Sequence, residues 1–294
     1  MIPYFLNLKQ YDLVITTSFH FKHGISGHVF EMIEYYWLFK DNTKVKPCIL
    51  LTDGTTLEEF SKALHNKYDN IDDILDHTFY HPSPKLLITN NILLVDGSWR
   101  GMDRAQVFAD NIFIFRCAED NFDYFNRTFK NVHLLQDFDV YGNTDNAIDY
   151  NKKILFDRLK VPNAGRENTA MLYLTSNCRA ISNEEVNRIV KPYDNYIVLT
   201  NTPDLYENSF EVPVANLWEL FDTYVYTNIP KQWDCSSRFI KECEYFGRKV
   251  VFEIDYEDKA LNVRINNTMD DVTLKHNDYL IGLVNDKCKL LINR

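Results

Sequence analysis

The sequence lacks the segments that insert a protein into a membrane or export it. No stretch of the 294 residues approaches about 18 consecutive apolar positions, the length of a membrane-spanning helix. The first residues, MIPYFLNLKQYD, lack the basic region, apolar run and cleavage site of an export signal. The 6 cysteines are scattered, without a C-x-x-C pair or a Cys/His cluster at zinc spacing, which favours reduced thiols. We therefore expect a cytoplasmic protein with no membrane contact.

Glycine and proline are also scarce, and the common nucleotide-binding loop motifs do not occur. The chain has 9 glycines and 9 prolines, so few loose linkers are expected, and its 14% aromatic residues can fill a large core. Neither G-x-G-x-x-G nor a P-loop GK[ST] occurs, which argues against a dinucleotide-binding Rossmann enzyme and a kinase. The net charge of -10 disfavours a general polyanion-coating surface, although it leaves room for a local basic cleft.

The first half alternates short apolar runs with helical patterns. The segment Tyr11–Ser18 predicts a strand, and a loop then leads into a helix over VFEMIEYYWLFKD. A strand over Pro47–Asp53 and a helix over Thr56–Tyr68 follow, with Thr55 or Thr56 as the N-cap. Buried strands are further predicted over Lys85–Thr89, Ile92–Val95, Asn111–Arg116 and Val132–Leu135.

The polar stretch VPNAGREN, behind a helical pattern over Asn146–Lys160, marks the best domain boundary. The alternation then restarts with strands over Met171–Thr175, Tyr196–Thr200, Thr223–Thr227 and Lys249–Ile254 and helices over Ser182–Pro192, Val214–Phe221 and Cys235–Phe246. After Asp255 only Tyr279–Val284 predicts a further strand or helix turn. We predict an α/β fold of two Rossmann-like domains, 1–160 and 161–294, that face a central cleft.

Ligands of open parallel sheets gather at the carboxyl ends of the strands, so the loops there are the first candidates for a site. The first such loop, HFKHGISGH, combines Gly24 and Gly27 with His20, His23 and His28. Its glycines permit close backbone approach and its histidines are titratable. The loop is therefore either a donor or acceptor site or a tight turn with solvent-facing histidines.

The loop LTSNCR follows the first strand of the second domain and carries Ser176, Asn177 and Arg179. A hydroxyl, an amide and a guanidinium at a helix N-terminus suit a diphosphate, because arginine adds a bidentate fork to the backbone donors. The alternative is a solvated turn in which Arg179 pairs with Glu184 or Glu185.

The most specific stretch is FDTYVYTNIPKQWDCSSRFIKECEYFGRKVVFEID. It predicts a strand, a polar loop, a helix capped by Asp234 or Ser236, and a second strand after Gly247. Arg238 and Glu242 lie one turn apart on this helix. As a solvated i,i+4 pair they would contribute only about 0.3–0.5 kcal/mol.

This pattern resembles the nucleotide-sugar half of GT-B glycosyltransferases, in which the loop holds the diphosphate and a helix glutamate bonds the ribose. The resemblance implies that Ser236, Ser237 and Arg238 face the phosphates of a UDP-sugar and that Glu242 faces the ribose. Gly27 would give the nucleotide sugar a close backbone contact in the other domain. The loop NIPKQWDCSS departs from the glycine-rich loops common in that family.

The two-lobed size and the Asn/Lys/Ile/Tyr/Phe-rich composition also resemble T-even-type phage glycosyltransferases, which modify 5-hydroxymethylcytosine in DNA. That resemblance implies a UDP-glucose or UDP-arabinose donor, DNA as acceptor, no required cofactor, and a monomer in the host-cell cytoplasm. Trp99, Arg100 and Arg104 in VDGSWRGMDRAQ then become candidates for base stacking and phosphate contact. Otherwise they are surface residues at a helix entry.

Asp96 sits at a strand end, where a carboxylate can take the proton of an acceptor hydroxyl in an inverting transfer. His28, at a helix start, is the competing base, and an Asp-Gly turn is the structural alternative for Asp96. Asp137 and Asp139 fit the letters D-x-D but not a strand-end loop, so we predict no metal site. Two other functions stay open: a non-catalytic sugar- or protein-binding module, and a glycosyltransferase with a small or glycan acceptor.

Overall fold

The computed structural model describes residues 5–17, 27–52, 56–82, 84–95, 106–114, 119–134, 158–174, 181–200, 202–211, 214, 216–227, 238–253 and 280–288. The strands are β1 Phe5–Asn7, β2 Leu13–Thr16, β3 Pro47–Leu51, β4 Thr78–Tyr80, β5 Leu86–Ile88, β6 Asn91–Leu94, β7 Gln106–Phe108, β8 Asn111–Ile114, β9 Val132–Leu134, β10 Thr169–Tyr173, β11 Asn195–Thr200, β12 Ser209–Glu211, β13 Thr223–Tyr226 and β14 Lys249–Phe252. The helices are α1 Gly27–Asn42, α2 Leu57–Lys67, α3 Asp72–Asp76, α4 Glu119–Thr128, α5 Asn183–Val190, α6 Arg238–Tyr245 and α7 over 280–288. Within these ranges no helix combines the length and apolar character needed to cross a membrane.

Two parallel sheets organise the fold, and each begins with a strand in its interior. The six-stranded sheet has the order β4-β3-β2-β6-β8-β9, and the five-stranded sheet has the order β12-β11-β10-β13-β14. All of their strand pairs are parallel. In both sheets the chain adds strands on one side of the first strand and then crosses to the other side, as in Rossmann-type folds. The predicted α/β class is confirmed.

The six-stranded sheet is covered on both faces, which explains its continuous apolar runs. Every residue of β2, β3, β6 and β8 is buried. One face packs Leu13 and Ile15 against helix residues such as Ile33, and the opposite face packs Val14 and Ile92 into a separate cluster.

That second cluster is closed by a small parallel sheet of order β1-β5-β7. Each of its three-residue strands precedes a strand of the six-stranded sheet, so the two sheets share the same succession of chain segments. The central residues Leu6, Leu87 and Val107 pack onto the larger sheet, whereas Phe5 and Phe108 on the outer face are exposed. Strands β1 and β7 were not predicted, because one half-buried residue between two exposed ones produces no readable alternation.

Helix α7 also packs against the six-stranded sheet, although it follows the second sheet in the chain. Leu280, Val284 and Cys288, spaced four residues apart, belong to the core cluster around α1. The Nδ2 of Asn91 lies 3.3 Å from the Sγ of Cys288, and burial raises the pKa of this thiol to about 12. The tail thus returns to the first sheet, whereas the division at residue 160 remains a prediction.

The predicted linker VPNAGREN packs against the backbone of Phe221, just before strand β13. A Cβ on Gly165 would lie 2.0 Å from the carbonyl oxygen of Phe221, so only glycine fits here. Arg248 fixes the same region by donating to the carbonyls of Asn163 and Trp218 at 2.8 Å.

The elements confirm most of the predicted strands and helices, and one predicted helix is wrong. Thr56 caps α2 in a capping box with Glu59, and Gly247, at φ 66°, follows the end of α6. The described residues of Val214–Phe221 form only a 3₁₀ turn over Leu217–Glu219, since Asn216 adopts the left-handed conformation directly before it. Of the predicted helix over Asn146–Lys160, positions 146–157 lie outside the described residues, and Leu159 forms an antiparallel bridge.

Candidate functional site

The strand order reverses at one point in each large sheet, and these points define where a ligand is expected. In the six-stranded sheet the reversal lies between β2 and β6, and in the five-stranded sheet it lies between β10 and β13. Both pairs end at loops whose residues the sequence singles out. The predicted residues in these loops that lie outside the described part of the chain are His20, His23, Gly24, Asp96, Trp99, Arg100, Arg104, Ser176, Asn177, Arg179, Asp234, Ser236 and Ser237.

Three predicted residues fall at helix starts, as expected for a site at the carboxyl edge of a parallel sheet. Gly27 and His28 are the first two residues of α1, and Arg238 is the first residue of α6. Helix starts present free backbone N–H groups and the positive end of the helix dipole, which favour anions.

Glu242 lies one turn into α6, and its environment differs from the solvated face that an i,i+4 pair would occupy. The residue is only 2% exposed. The Nζ of Lys67 donates to its Oε1 at 2.6 Å, and the side chain of Lys67 is itself only 15% exposed. A buried carboxylate needs such a charged partner, because the desolvation of an isolated charge costs several kcal/mol.

The ammonium of Lys67 also joins α1 to this contact. It lies 4.0 Å from the centre of the Phe30 ring, and Phe30 packs edge-on against Tyr68 at 6.1 Å. A cation above an aromatic face is attracted by the ring quadrupole. Phe30, Lys67, Tyr68 and Glu242 together form what we call the Lys67 junction. It joins the first turn of α1 and the second turn of α6 through the last residue of α2.

Lys67 was not predicted as a site residue, although α2 carries a signal for it. The buried residues of this helix are Phe60, Ala63 and Leu64. Lys67 follows them at the i+3 and i+4 spacing that continues the same stripe. A lysine in line with an apolar stripe either extends its ammonium past the stripe into solvent or pairs with a buried carboxylate, and the sequence alone does not distinguish the two.

Two buried hydroxyls mark the strand ends at the reversal points. Thr17 directly follows β2 and is 5% exposed, and Thr227 directly follows β13 and is 7% exposed. Within the described part of the chain, neither Oγ1 has a hydrogen-bond partner. Because buried polar groups are nearly always paired, these hydroxyls can serve a polar ligand at either edge.

A metal centre has no counterpart in the ranges that the structure describes, where no three His, Cys, Asp or Glu side chains cluster. The D-x-D letters at Asp137 and Asp139 lie outside those ranges.

Comparison with known proteins gives no further guide. No family model, no curated protein and no solved structure matches this chain.

Proposed function

We propose that the protein is a glycosyltransferase of the GT-B type, which moves a sugar from a UDP-sugar to a hydroxyl acceptor. In this proposal two Rossmann-like domains, 1–160 and 161–294, face a cleft that closes around the reactants. The observation that carries it is the position of Glu242. This carboxylate sits on the helix behind the reversal-point strand β13, and it is buried where helices of both sheets meet.

The donor would bind along the carboxyl edge of the five-stranded sheet. Glu242 accepts hydrogen bonds from the ribose hydroxyls, and Arg238, at the start of α6, faces the diphosphate. Ser236 and Ser237 add hydroxyl contacts to the phosphates. A bidentate guanidinium suits this role because its planar fork matches two phosphate oxygens.

Ser176, Asn177 and Arg179 approach the donor from the neighbouring strand, and Gly27 approaches it from the six-stranded sheet. Arg179 and Arg238 would offset the charge that develops on the departing diphosphate.

In an inverting transfer the acceptor oxygen forms a bond to the anomeric carbon while the bond from that carbon to the diphosphate oxygen breaks. Asp96 takes the proton of the acceptor hydroxyl, and UDP leaves with the bonding electron pair. His28, in the first turn of α1, is the other residue that can act as this base.

For the acceptor we propose 5-hydroxymethylcytosine in DNA. Trp99 would stack on the opened strand, and Arg100 and Arg104 would contact phosphates. Because these contacts release counterions, binding of modified DNA should weaken steeply with salt. DNA binding that is equally strong at low and high salt would contradict this assignment.

A thermal-shift screen of nucleotides and nucleotide sugars tests the donor site. A ligand at about 100 times its dissociation constant adds about 2.7 kcal/mol to the stability of the native state. We expect UDP and at least one UDP-sugar to raise the Tm, and ADP to raise it less. If no uridine nucleotide shifts the Tm, the proposed function is wrong.

A further inference from the structure

The ion pair between Lys67 and Glu242 joins residues 175 positions apart in the chain. Lys67 ends α2, which packs on the six-stranded sheet, and Glu242 belongs to α6, which packs on the five-stranded sheet. A carboxylate that is 2% exposed keeps its charge only where a cation or several donors stabilise it. Lys67, which comes from the other sheet, therefore stabilises the charged form of the Glu242 carboxylate.

Besides the Glu242 carboxylate, aromatic side chains hold the ammonium of Lys67 in place. The Phe30 ring lies 4.0 Å from Nζ, and the Trp37 ring packs edge-on against Tyr68 at 4.9 Å behind it. Phe30, Trp37 and Tyr68 are buried. A flexible four-carbon side chain held between an aromatic face and a carboxylate loses most of its rotamer freedom, so it can hold the carboxylate in one orientation.

We propose that Lys67 is a positioning residue of the nucleotide site. It keeps Glu242 ionised and aims its carboxylate at the ribose hydroxyls, so that nucleotide affinity in the five-stranded sheet depends on a side chain from the six-stranded sheet. This inference rests on the proposed function, because it takes the ribose as the ligand of Glu242. It adds a residue that the motif around Glu242 does not contain.

The test compares UDP affinities by calorimetry for wild type, Lys67→Met, Lys67→Arg and Glu242→Gln. Loss of the lysine charge should weaken UDP about tenfold, the change that corresponds to about 1.4 kcal/mol. Lys67→Arg should stay close to wild type because it retains the charge. Lys62→Met is the matched control, since Lys62 is an exposed lysine of the same helix, and it should leave the affinity unchanged.

A double-variant cycle separates positioning from mere packing. If Lys67 acts through Glu242, adding Lys67→Met to Glu242→Gln should cause little further loss of UDP affinity. A purely structural contribution would lower the affinity by the same factor in both backgrounds. If Lys67→Met does not fold, Lys67→Gln, which is neutral but retains a donor, replaces it with the same expectations.

The outcomes distinguish this inference from the function on which it rests. If wild type binds UDP and the folded Lys67→Met variant binds it equally well, Lys67 is not a positioning residue and the proposed function stands. Equal losses in both backgrounds of the cycle overturn the inference in the same way. If wild type binds no uridine nucleotide, both the proposed function and the role of Lys67 are wrong.

Discussion

Replacing Glu242 by alanine should destabilise the protein, because it removes one partner of the buried ion pair between Glu242 and Lys67. Removing one partner of a buried ion pair costs about 3–5 kcal/mol. The side chain of Glu242 is 2% exposed and that of Lys67 is 15% exposed. In the variant the ammonium of Lys67 also keeps its contact with the Phe30 ring. We therefore expect a loss near the lower end, about 3 kcal/mol.

Urea unfolding at pH 7 measures this loss as a change in the free energy of unfolding. Glu207→Ala is the control, since Glu207 is exposed and its replacement should change stability by no more than about 0.5 kcal/mol. The double variant Lys67→Met/Glu242→Leu should lose less stability than the single variants Lys67→Met and Glu242→Leu lose together. An apolar pair can replace a buried ion pair at little cost. A Glu242→Ala variant as stable as the Glu207→Ala control would refute the reasoning.

Three further predictions test other parts of the account. Gly165→Ala should cost about 1–3 kcal/mol, because its Cβ would lie 2.0 Å from the Phe221 carbonyl oxygen, and an unchanged Tm in calorimetry would contradict this. Burial lowers the pKa of His133 below its ordinary 6.5, so the stability from its neutral ring is present above about pH 6.5 and is lost as the pH falls through the folded-state pKa. Urea unfolding at pH 7.5 and 5 should then show a smaller loss for His133→Asn than for wild type, and equal losses would exclude this linkage. At Arg179 and Arg238, substitution by alanine should lower turnover, measured as released UDP, more than substitution by lysine does. Wild-type rates for all four variants would show that the diphosphate binds elsewhere.

Most strands of the two large sheets could be predicted, because parallel strands are buried on both faces; the edge strands β4 and β12 were missed. Runs such as Ile92–Val95 and Tyr196–Thr200 are apolar enough to be recognised as strands without knowing which strands they pair with. The short edge strand β12 has one half-buried residue and two exposed ones, so its sequence has no strand signal. The expected helix at Val214–Phe221 had the right composition, but the left-handed Asn216 confines it to one turn.

The candidate site could be predicted only as far as local sequence reaches. The helix predicted over Cys235–Phe246 is present as Arg238–Tyr245, and its predicted stop at Gly247 was found, because both depend on neighbouring residues. The partner of Glu242 depends on how α2 and α6 pack, and that information is distributed over the whole core. The packing of α7 against the first sheet was missed for the same reason, since nothing in its sequence names the surface it covers.

The most direct test of the central claim is sugar transfer by the wild-type protein. The protein is incubated with UDP-glucose or UDP-arabinose and with 5-hydroxymethylcytosine DNA, unmodified DNA or a panel of small glycosyl acceptors, and products are followed by mass spectrometry. We predict a mass gain of one sugar on the modified DNA, accompanied by released UDP, and no gain on unmodified DNA. Sugar found only on small acceptors would contradict the DNA assignment, and no transfer to any acceptor from either donor would contradict the glycosyltransferase itself.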